Sequence, residues 1–547
     1  MANPGVLFVT MQPKPGLQIE QFHEWYNNEH GPTRLRLPRL FTSGLRYRAA
    51  DGEAPEFLAI YDVTSMPLLE TEVYSVLRAN RSPREAEVIG WVDVKRYFWE
   101  LVCTEQSSFF FPIEQLSDSE TEGIVLLTVR LRLKDDAEPK AEDEITRWFE
   151  GQIDMLSRVT GWLRSRVFRT SHLETGVPTS VIALHEFAKE NELGDLASHA
   201  ATRSPTWDDV AAKHATLASQ RQYSLFYVFG PAPRDLHNLS RLEPAKAAFT
   251  SADAKTRTAN EPPSPAIESY VTLPDGLVIP YRLEGNPDPR APTVALSNSL
   301  LTSLHMWDPF VATLLEKRPR YRILRYDTRG RHALAPAPEA PATLAGLSDD
   351  LGALLAALRI PKLAALVGVS MGGATTVRFA LDHPDRVARF VACDFNAASG
   401  AANTDAWRAR IALAQEPAAD GGGPAGIERL AAETVGRWFD PATAPRRPDA
   451  AREMAAMLAA NDVAGFRWSC QALWDYDLRP ELGGCRVPGL LVAGAGDRDG
   501  KMAEAMEAFR PLLGKGGRAK LAVVPDAGHL PMFEHPEGFW EAVEKFL

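Results

Sequence analysis

Cysteine is scarce in this chain: Cys103, Cys393, Cys470 and Cys485 are the whole complement of 547 residues, and none stands in a CxxC spacing. That excludes a disulfide-stapled scaffold and a zinc ribbon or finger, and it fits a reducing compartment, so a cytoplasmic protein without a metal site is expected. Long apolar runs are missing too. No stretch approaches the ~20 residues that cross a bilayer. The opening Met1-Ala2-Asn3-Pro4-Gly5 puts no basic segment ahead of an apolar core, so neither a signal peptide nor a membrane partner is expected. Basic residues are outnumbered, 60 Lys and Arg against 71 Asp and Glu, for a formal net charge of -11 with no basic block. A surface that tracks phosphates needs the reverse balance, so nucleic acid drops out and a small-molecule substrate is favoured. What the chain does have is length, with 45% hydrophobic residues, enough for two or three cores. Nothing in the pattern fixes an oligomeric state.

The first positive signal is an internal duplication. Phe22-His23-Glu24-Trp25-Tyr26, Gly44-Leu45-Arg46-Tyr47-Arg48 and Ala79-Asn80-Arg81-Ser82-Pro83 have counterparts about 122 residues on. These are Ile145-Thr146-Arg147-Trp148-Phe149, Ser165-Arg166-Val167-Phe168-Arg169 and Ala201-Thr202-Arg203-Ser204-Pro205. Apolar alternation and helical spacing in the first copy give the order β-α-β-β-α-β, with strands near 6–10, 44–48, 57–63 and 95–102, which is ferredoxin-like. Two repeats, 1–112 and 113–235, are therefore expected.

The first copy, with Pro15-Gly16, the Phe22 to Tyr26 run and Glu29-His30-Gly31-Pro32, resembles the EthD-like members of the dimeric α/β-barrel group. The second copy resembles it less, since Gln152 and Ile153 replace the Glu-His pair. The resemblance implies two sheets packed face to face, supplied here by one chain as an intramolecular barrel. It singles out His30 as a candidate site, either a polar group facing an inter-sheet cavity and exchanging protons near neutral pH, or a capping or solvated histidine.

Residues 236–265, rich in Ala, Lys, Ser and Pro and closing on Glu261-Pro262-Pro263-Ser264-Pro265, read as a linker. From 266 to 547 the pattern changes to a hairpin at 270–283 followed by apolar strands alternating with helices. The strands fall at 293–296, 321–326, 364–367, 390–393, 489–493 and 521–524. Such runs predict a mostly parallel sheet covered on both faces, an α/β fold.

At the end of the 364–367 strand stands Gly368-Val369-Ser370-Met371-Gly372, with a helical pattern after it. A serine there sits on a sharp strand-to-helix turn that needs small neighbours, and it presents its hydroxyl outward as a nucleophile. A hydroxyl needs a base to remove its proton, and the base needs a carboxylate to fix its tautomer. His529, in Asp526-Ala527-Gly528-His529 after the last strand, is the base candidate. Asp497, in the loop after 489–493, is the acid candidate, with Asp394 as main rival and Asp499 as a further one. The oxyanion would be held by the backbone N–H groups of Met371 and Leu300.

Asn298-Ser299-Leu300, His305-Met306-Trp307-Asp308-Pro309, Arg325 to Gly330, Gly368 to Gly373, Asn396-Ala397-Ala398, Trp407, Arg410-Ile411 and Arg437-Trp438-Phe439 together resemble the 3-oxoadipate enol-lactonases and their esterase relatives. The resemblance spans nearly all of 270–547. It implies an α/β-hydrolase fold with a helical cap at about 398–482, and opening of a lactone or ester through an acyl-serine intermediate without a cofactor. Cleavage of a carbon–carbon bond next to a ketone, or a binding protein with a vestigial triad, stay as alternatives. His305, Arg437 and Trp438 are candidate pocket residues, or packing for the cap. Two departures, Leu301 for the family's glycine and Gly330-Arg331-His332 for its Gly-His-Gly, are expected to alter the pocket entrance.

Overall fold

The structure is a computed structural model and describes residues 3–138, 140–194, 211–335, 337–418, 425–514 and 519–547. The chain divides into two compact units, Met1–Pro233 and Arg234–Leu547.

In the first unit the strands are β1 (Gly5–Pro13), β2 (Phe41–Ala49), β3 (Phe57–Val63), β4 (Val92–Gln106), β5 (Val125–Leu133), β6 (Trp162–Thr170), β7 (Ser180–Phe187) and β8 (Ala215–Val228). They form a closed barrel in the order β1-β3-β2-β8-β5-β7-β6-β4. Each strand of the second copy begins 120 to 123 residues after its counterpart. Within each copy the order is that of a ferredoxin-like sheet, and the copies join edge to edge, with Arg46 opposite Tyr227 and Trp99 opposite Thr170. Joining both edges leaves no open strand to template aggregation.

The period of two along β1 explains why nearly every residue of that strand is apolar. Val6 and Phe8 point into the barrel, where they meet Leu45, Tyr47, Leu126 and Leu184. Leu7, Val9 and Met11 point outward into a second core with Phe22, Trp25 and Tyr26 of the helical segment Ile19–Leu35. The other copy repeats this with Leu127, Val129 and Leu131 against Ile145, Trp148 and Phe149. Its landmark at 201–205 lies outside the described residues.

The second unit is built on one sheet, with β9 (Phe249–Thr250), β10 (Arg257–Glu261), β11 (Ser264–Thr272), β12 (Val278–Gly285), β13 (Thr293–Ser297), β14 (Arg322–Tyr326), β15 (Ala365–Val369), β16 (Phe390–Cys393), β17 (Gly489–Gly494) and β18 (Lys520–Val524). Their order is β18-β17-β16-β15-β13-β14-β12-β11-β10-β9. From β14 to β18 the pairs are parallel; from β9 to β12 they are antiparallel. The expectation of a linker at 236–265 is thereby corrected. β9 and β10 extend the sheet, and Pro262-Pro263 occupy the tight turn between β10 and β11, where a missing N–H costs no ladder bond. Between β16 and β17 the chain leaves the sheet as the helices Ala401–Ala414, Gly426–Trp438, Ala450–Ala459 and Val463–Ser469, and an antiparallel bridge from Ala398 to Asp477 closes its neck.

Candidate active site

Ser370 occupies the turn between β15 and the helix Met371–Asp382 with φ 59° and ψ −119°. A non-glycine residue at such angles stores about 1–3 kcal/mol and persists only where its surroundings fix it. Here the Ser370 N–H donates to the Cys393 carbonyl at 2.9 Å, and the Ala374 N–H donates to the Ser370 carbonyl at 3.0 Å. The flanking glycines are required by contact. A Cβ on Gly368 would lie 2.2 Å from the Gly372 carbonyl oxygen, and one on Gly372 would lie 2.2 Å from that of Ser297.

Asp497 follows β17 and is 2% exposed, and its Oδ2 lies 2.8 Å from Nδ1 of His529. His529 is set by its backbone as well. Its N–H donates to the Trp438 carbonyl at 2.8 Å, and its ring packs 5.0 Å from that of Trp438. Glu534 pins the same loop. It accepts the N–H groups of Gly528, Leu530 and Asp440 and the Thr443 hydroxyl, at 2.6 to 3.0 Å, tying the histidine loop to the chain after Trp438. Burial nonetheless pushes its carboxyl above the usual range. The motif reading missed Glu534 because a lone acid five residues after a histidine has no signature.

Asp394, the rival acid, stands at the end of β16 with φ 45° and is 1% exposed. It does not hold the imidazole. The Gly494 N–H donates to its Oδ1 at 2.9 Å, while Oδ2 has no conventional donor. Burial and then the charge of Asp497 drive its carboxyl well above the usual range. A protonated Asp394 donating from Oδ2 to Asp497 accounts for both facts, because two ionised carboxylates cannot share a buried site.

Ser370, Asp497 and His529 line one cavity of about 180 Å³, together with Leu300, Asp394, Trp407, Arg410, Arg437, Trp438 and Arg498. Burial, and next Arg437, pull the Arg410 guanidinium down to about 10. Burial and Arg498 act on Arg437 in the same direction. Sequence reasoning missed Arg498, although its place beside Asp497 is a usable signal, and treated Arg410 only as part of the resemblance. Met371 is buried at the start of the helix behind Ser370. His305 lies outside the cavity, half-exposed, 3.3 Å from Asp308, which raises its pKa. A larger open groove along β10 to β12 is lined by Arg282, Glu268 and Glu284, which pair with one another, and holds no residue with an activating partner.

The two departures from the enol-lactonase pattern, at Leu301 and at Arg331-His332, are not among the residues that line this cavity. Leu301 keeps a glycine-like φ of 72°, and its carbonyl accepts from Arg331 at 3.1 Å and from Asn461 at 2.6 Å. One departure thus braces the other. His332 pairs with Asp327 at 2.8 Å.

In the first unit His30 is buried, with Nδ1 2.6 Å from Glu85. Burial lowers its pKa to about 3, so it does not exchange protons near neutral pH, and it lies on the helical side of the sheet rather than between sheets.

A model of the alpha/beta hydrolase fold family matches residues 292–536. The 3-oxoadipate enol-lactonase 2 of Acinetobacter baylyi is 32% identical over 256 residues, 47% of this chain and 88% of that protein. The chain belongs to the α/β-hydrolase family. Within the family, 3-oxoadipate enol-lactonase 1 of the same organism is 31% identical over 47% of this chain and 89% of its own length. The crystal structure of the enol-lactonase from Burkholderia xenovorans LB400 is 31% identical, covers 51% of this chain and 98% of that one, and has a TM-score of 0.43. The family match, residues 292–536, lies within the second unit.

Proposed function

We propose that the second unit is a serine hydrolase that opens lactones or esters of acid-bearing substrates through an acyl-serine intermediate. The observation that carries this reading is the buried Asp497–His529 pair sharing one capped cavity with Ser370 on its strained turn. In this mechanism His529 takes the Ser370 proton as Oγ attacks the acyl carbon, and Asp497 stabilises the imidazolium. The Met371 and Leu300 N–H groups hold the oxyanion, and His529 returns the proton to the leaving oxygen. In a lactone that oxygen stays tethered. Water, activated by His529, then cleaves the acyl-serine and yields a hydroxy or oxo acid.

Arg410, Arg437 and Arg498 give the cavity three positive charges, which favours an anionic substrate such as a lactone bearing a carboxylate. The enol-lactonase relatives support the same choice of substrate class. For the first unit we keep the reading of a tandem EthD-like barrel, and for the whole protein a cytoplasmic setting.

A fluorophosphonate should label Ser370, as read by peptide mass spectrometry, and Ser370→Ala or His529→Ala should each lower kcat by on the order of 10⁴-fold. Ser370→Ala within tenfold of wild type would overturn the acyl-serine step. Enol-lactones and β-diketones supplied side by side test the bond cleaved, and turnover of the diketone alone would overturn the lactone reading.

A further inference from the structure

The turn that carries the proposed Leu300 donor has a backbone conformation that its sequence resists. Ser299 to Thr302, after β13, is closed by the Thr302 N–H and hydroxyl, which both donate to the Ser299 carbonyl, at 3.2 and 2.8 Å. Leu300 and Leu301 are its two central residues, and Leu301 has φ 72°. A second central position with positive φ favours glycine, because a Cβ crowds the backbone there. Leucine persists at such an angle only where something outside the turn fixes it.

Two buried side chains do so. Asn461 donates from Nδ2 to the Leu301 carbonyl at 2.6 Å, and Arg331 donates from Nη1 to the same oxygen at 3.1 Å. Asn461 belongs to the cap, between the helices Ala450–Ala459 and Val463–Ser469, and a second bond from its Nδ2 to the Leu458 carbonyl at 2.8 Å seats it there. Arg331 stands in the loop after β14, and that loop is fastened to the same part of the cap. The Asp462 N–H donates to the Arg331 carbonyl at 3.3 Å, and a Cβ on Gly330 would fall 2.6 Å from the Gly465 carbonyl oxygen. The cap therefore reaches the turn twice, directly through Asn461 and by way of Arg331.

What the turn presents to the cavity is Leu300. It is buried and lines the same space as Ser370 and His529, and among the described residues its N–H donates to no acceptor. A buried N–H without an acceptor is rare in a folded chain, and its direction is fixed by the backbone angles of the turn.

We propose that Asn461, assisted by Arg331, is a positioning residue for the oxyanion hole. By holding the Leu301 carbonyl it keeps Leu301 at positive φ and the Leu300 N–H aimed at the oxyanion, so the hole is complete only while the cap is seated. The inference rests on the serine-hydrolase reading above and adds to it a cap residue that does not line the cavity.

The test compares 4-nitrophenyl butyrate hydrolysis by the full-length chain in wild type, Asn461→Ala, Asn461→Ala combined with Leu301→Gly, and Ser370→Ala. Losing one oxyanion donor costs roughly 10²–10³ in kcat, so a misaimed donor should cost Asn461→Ala about tenfold to a hundredfold, with KM within about twofold. Glycine reaches φ 72° unaided, so adding Leu301→Gly should return kcat to within about threefold of wild type. A cap merely loosened by the lost bond would raise KM and gain nothing from the glycine. The same ratios are expected in the rate at which a fluorophosphonate labels Ser370, since the oxygen of the phosphorus adduct occupies the hole. Should Asn461→Ala fail to fold, Arg331→Met takes its place, with a fall in kcat and the same recovery by Leu301→Gly. A wild-type kcat in Asn461→Ala, or a loss that glycine does not recover, would overturn the proposal. Hydrolysis that persists in Ser370→Ala would instead overturn the acyl-serine reading beneath it.

Discussion

At the scale of single residues, the acid of the proposed site has a second carboxyl behind it. Asp497 holds His529, and burial and then the charge of Asp497 raise the Asp394 carboxyl well above the usual range. A carboxyl so raised binds a proton in the folded chain at pH values where the unfolded chain has lost it. The folded state therefore binds more protons than the unfolded one. The stability linked to this group is complete below the usual carboxylate range and is lost as pH rises toward the raised value. Asn at 394 keeps an acceptor for Gly494 N–H and a donor for Asp497 without a titration. We predict that Asp394→Asn melts close to wild type near pH 4 and increasingly above it toward pH 8, by calorimetry at four pH values. Its kcat should stay within tenfold of wild type, while Asp497→Asn falls by on the order of 10³ to 10⁴-fold. An unimpaired Asp497→Asn beside an inactive Asp394→Asn would move the acid. Sequence order alone left both carboxylates open, since each ends a strand of the same sheet. Only the side-chain geometry separates them. Ser370 and His529 were easier to read, because glycines at fixed offsets and a terminal strand place them almost without reference to the rest of the fold.

At the scale of elements, the turn at Ser370 depends on two backbones touching. Gly372, the first glycine of its helix, rides against the Ser297 carbonyl at the end of β13, so a methyl group there must displace a central strand or the helix. Gly372→Ala should cost about 1–3 kcal/mol, as overpacked cores do, and should slow fluorophosphonate labelling of Ser370. A melting point and labelling rate equal to wild type would show that the contact yields freely. The histidine loop depends on Glu534, whose carboxylate accepts four donors that Gln cannot all match, since its amide nitrogen would face an N–H. Glu534→Gln is expected to lower kcat roughly tenfold to a hundredfold with the fold retained by circular dichroism, because His529 moves while Ser370 does not. Such clamps escape sequence reading for a physical reason. Glu534 acts through backbone groups at 440, 528 and 530, which leave no trace in residue identity.

At the scale of the whole molecule, the duplication was legible because barrel closure constrains both copies alike. Each sheet needs apolar residues on its barrel face and on its helical face, and that demand recurs at a near-constant offset. The joint between the units was misread, since a stretch rich in Ala, Ser and Pro has the composition of a linker while its alternation is too short to register as strands. In the structure Thr258 is buried, its hydroxyl donates to the Ala247 carbonyl at 2.7 Å, and the Asn260 amide donates to Leu242 at 2.7 Å. Together with the β10–β11 ladder, these bonds fasten residues 242–261 to the hydrolase sheet. Where the second unit can be cut follows from this. A chain of residues 234–547 keeps the whole sheet, so it should fold and retain hydrolase activity. One of residues 264–547 exposes the edge of β11 and loses the partners of Ala266 and Ile267, so it should melt several degrees lower and aggregate more readily. Calorimetry and light scattering on the two fragments decide the matter. Equal melting points would return residues 236–263 to the status of a linker, and loss of hydrolase activity in both fragments would mean that the barrel is needed for the reaction.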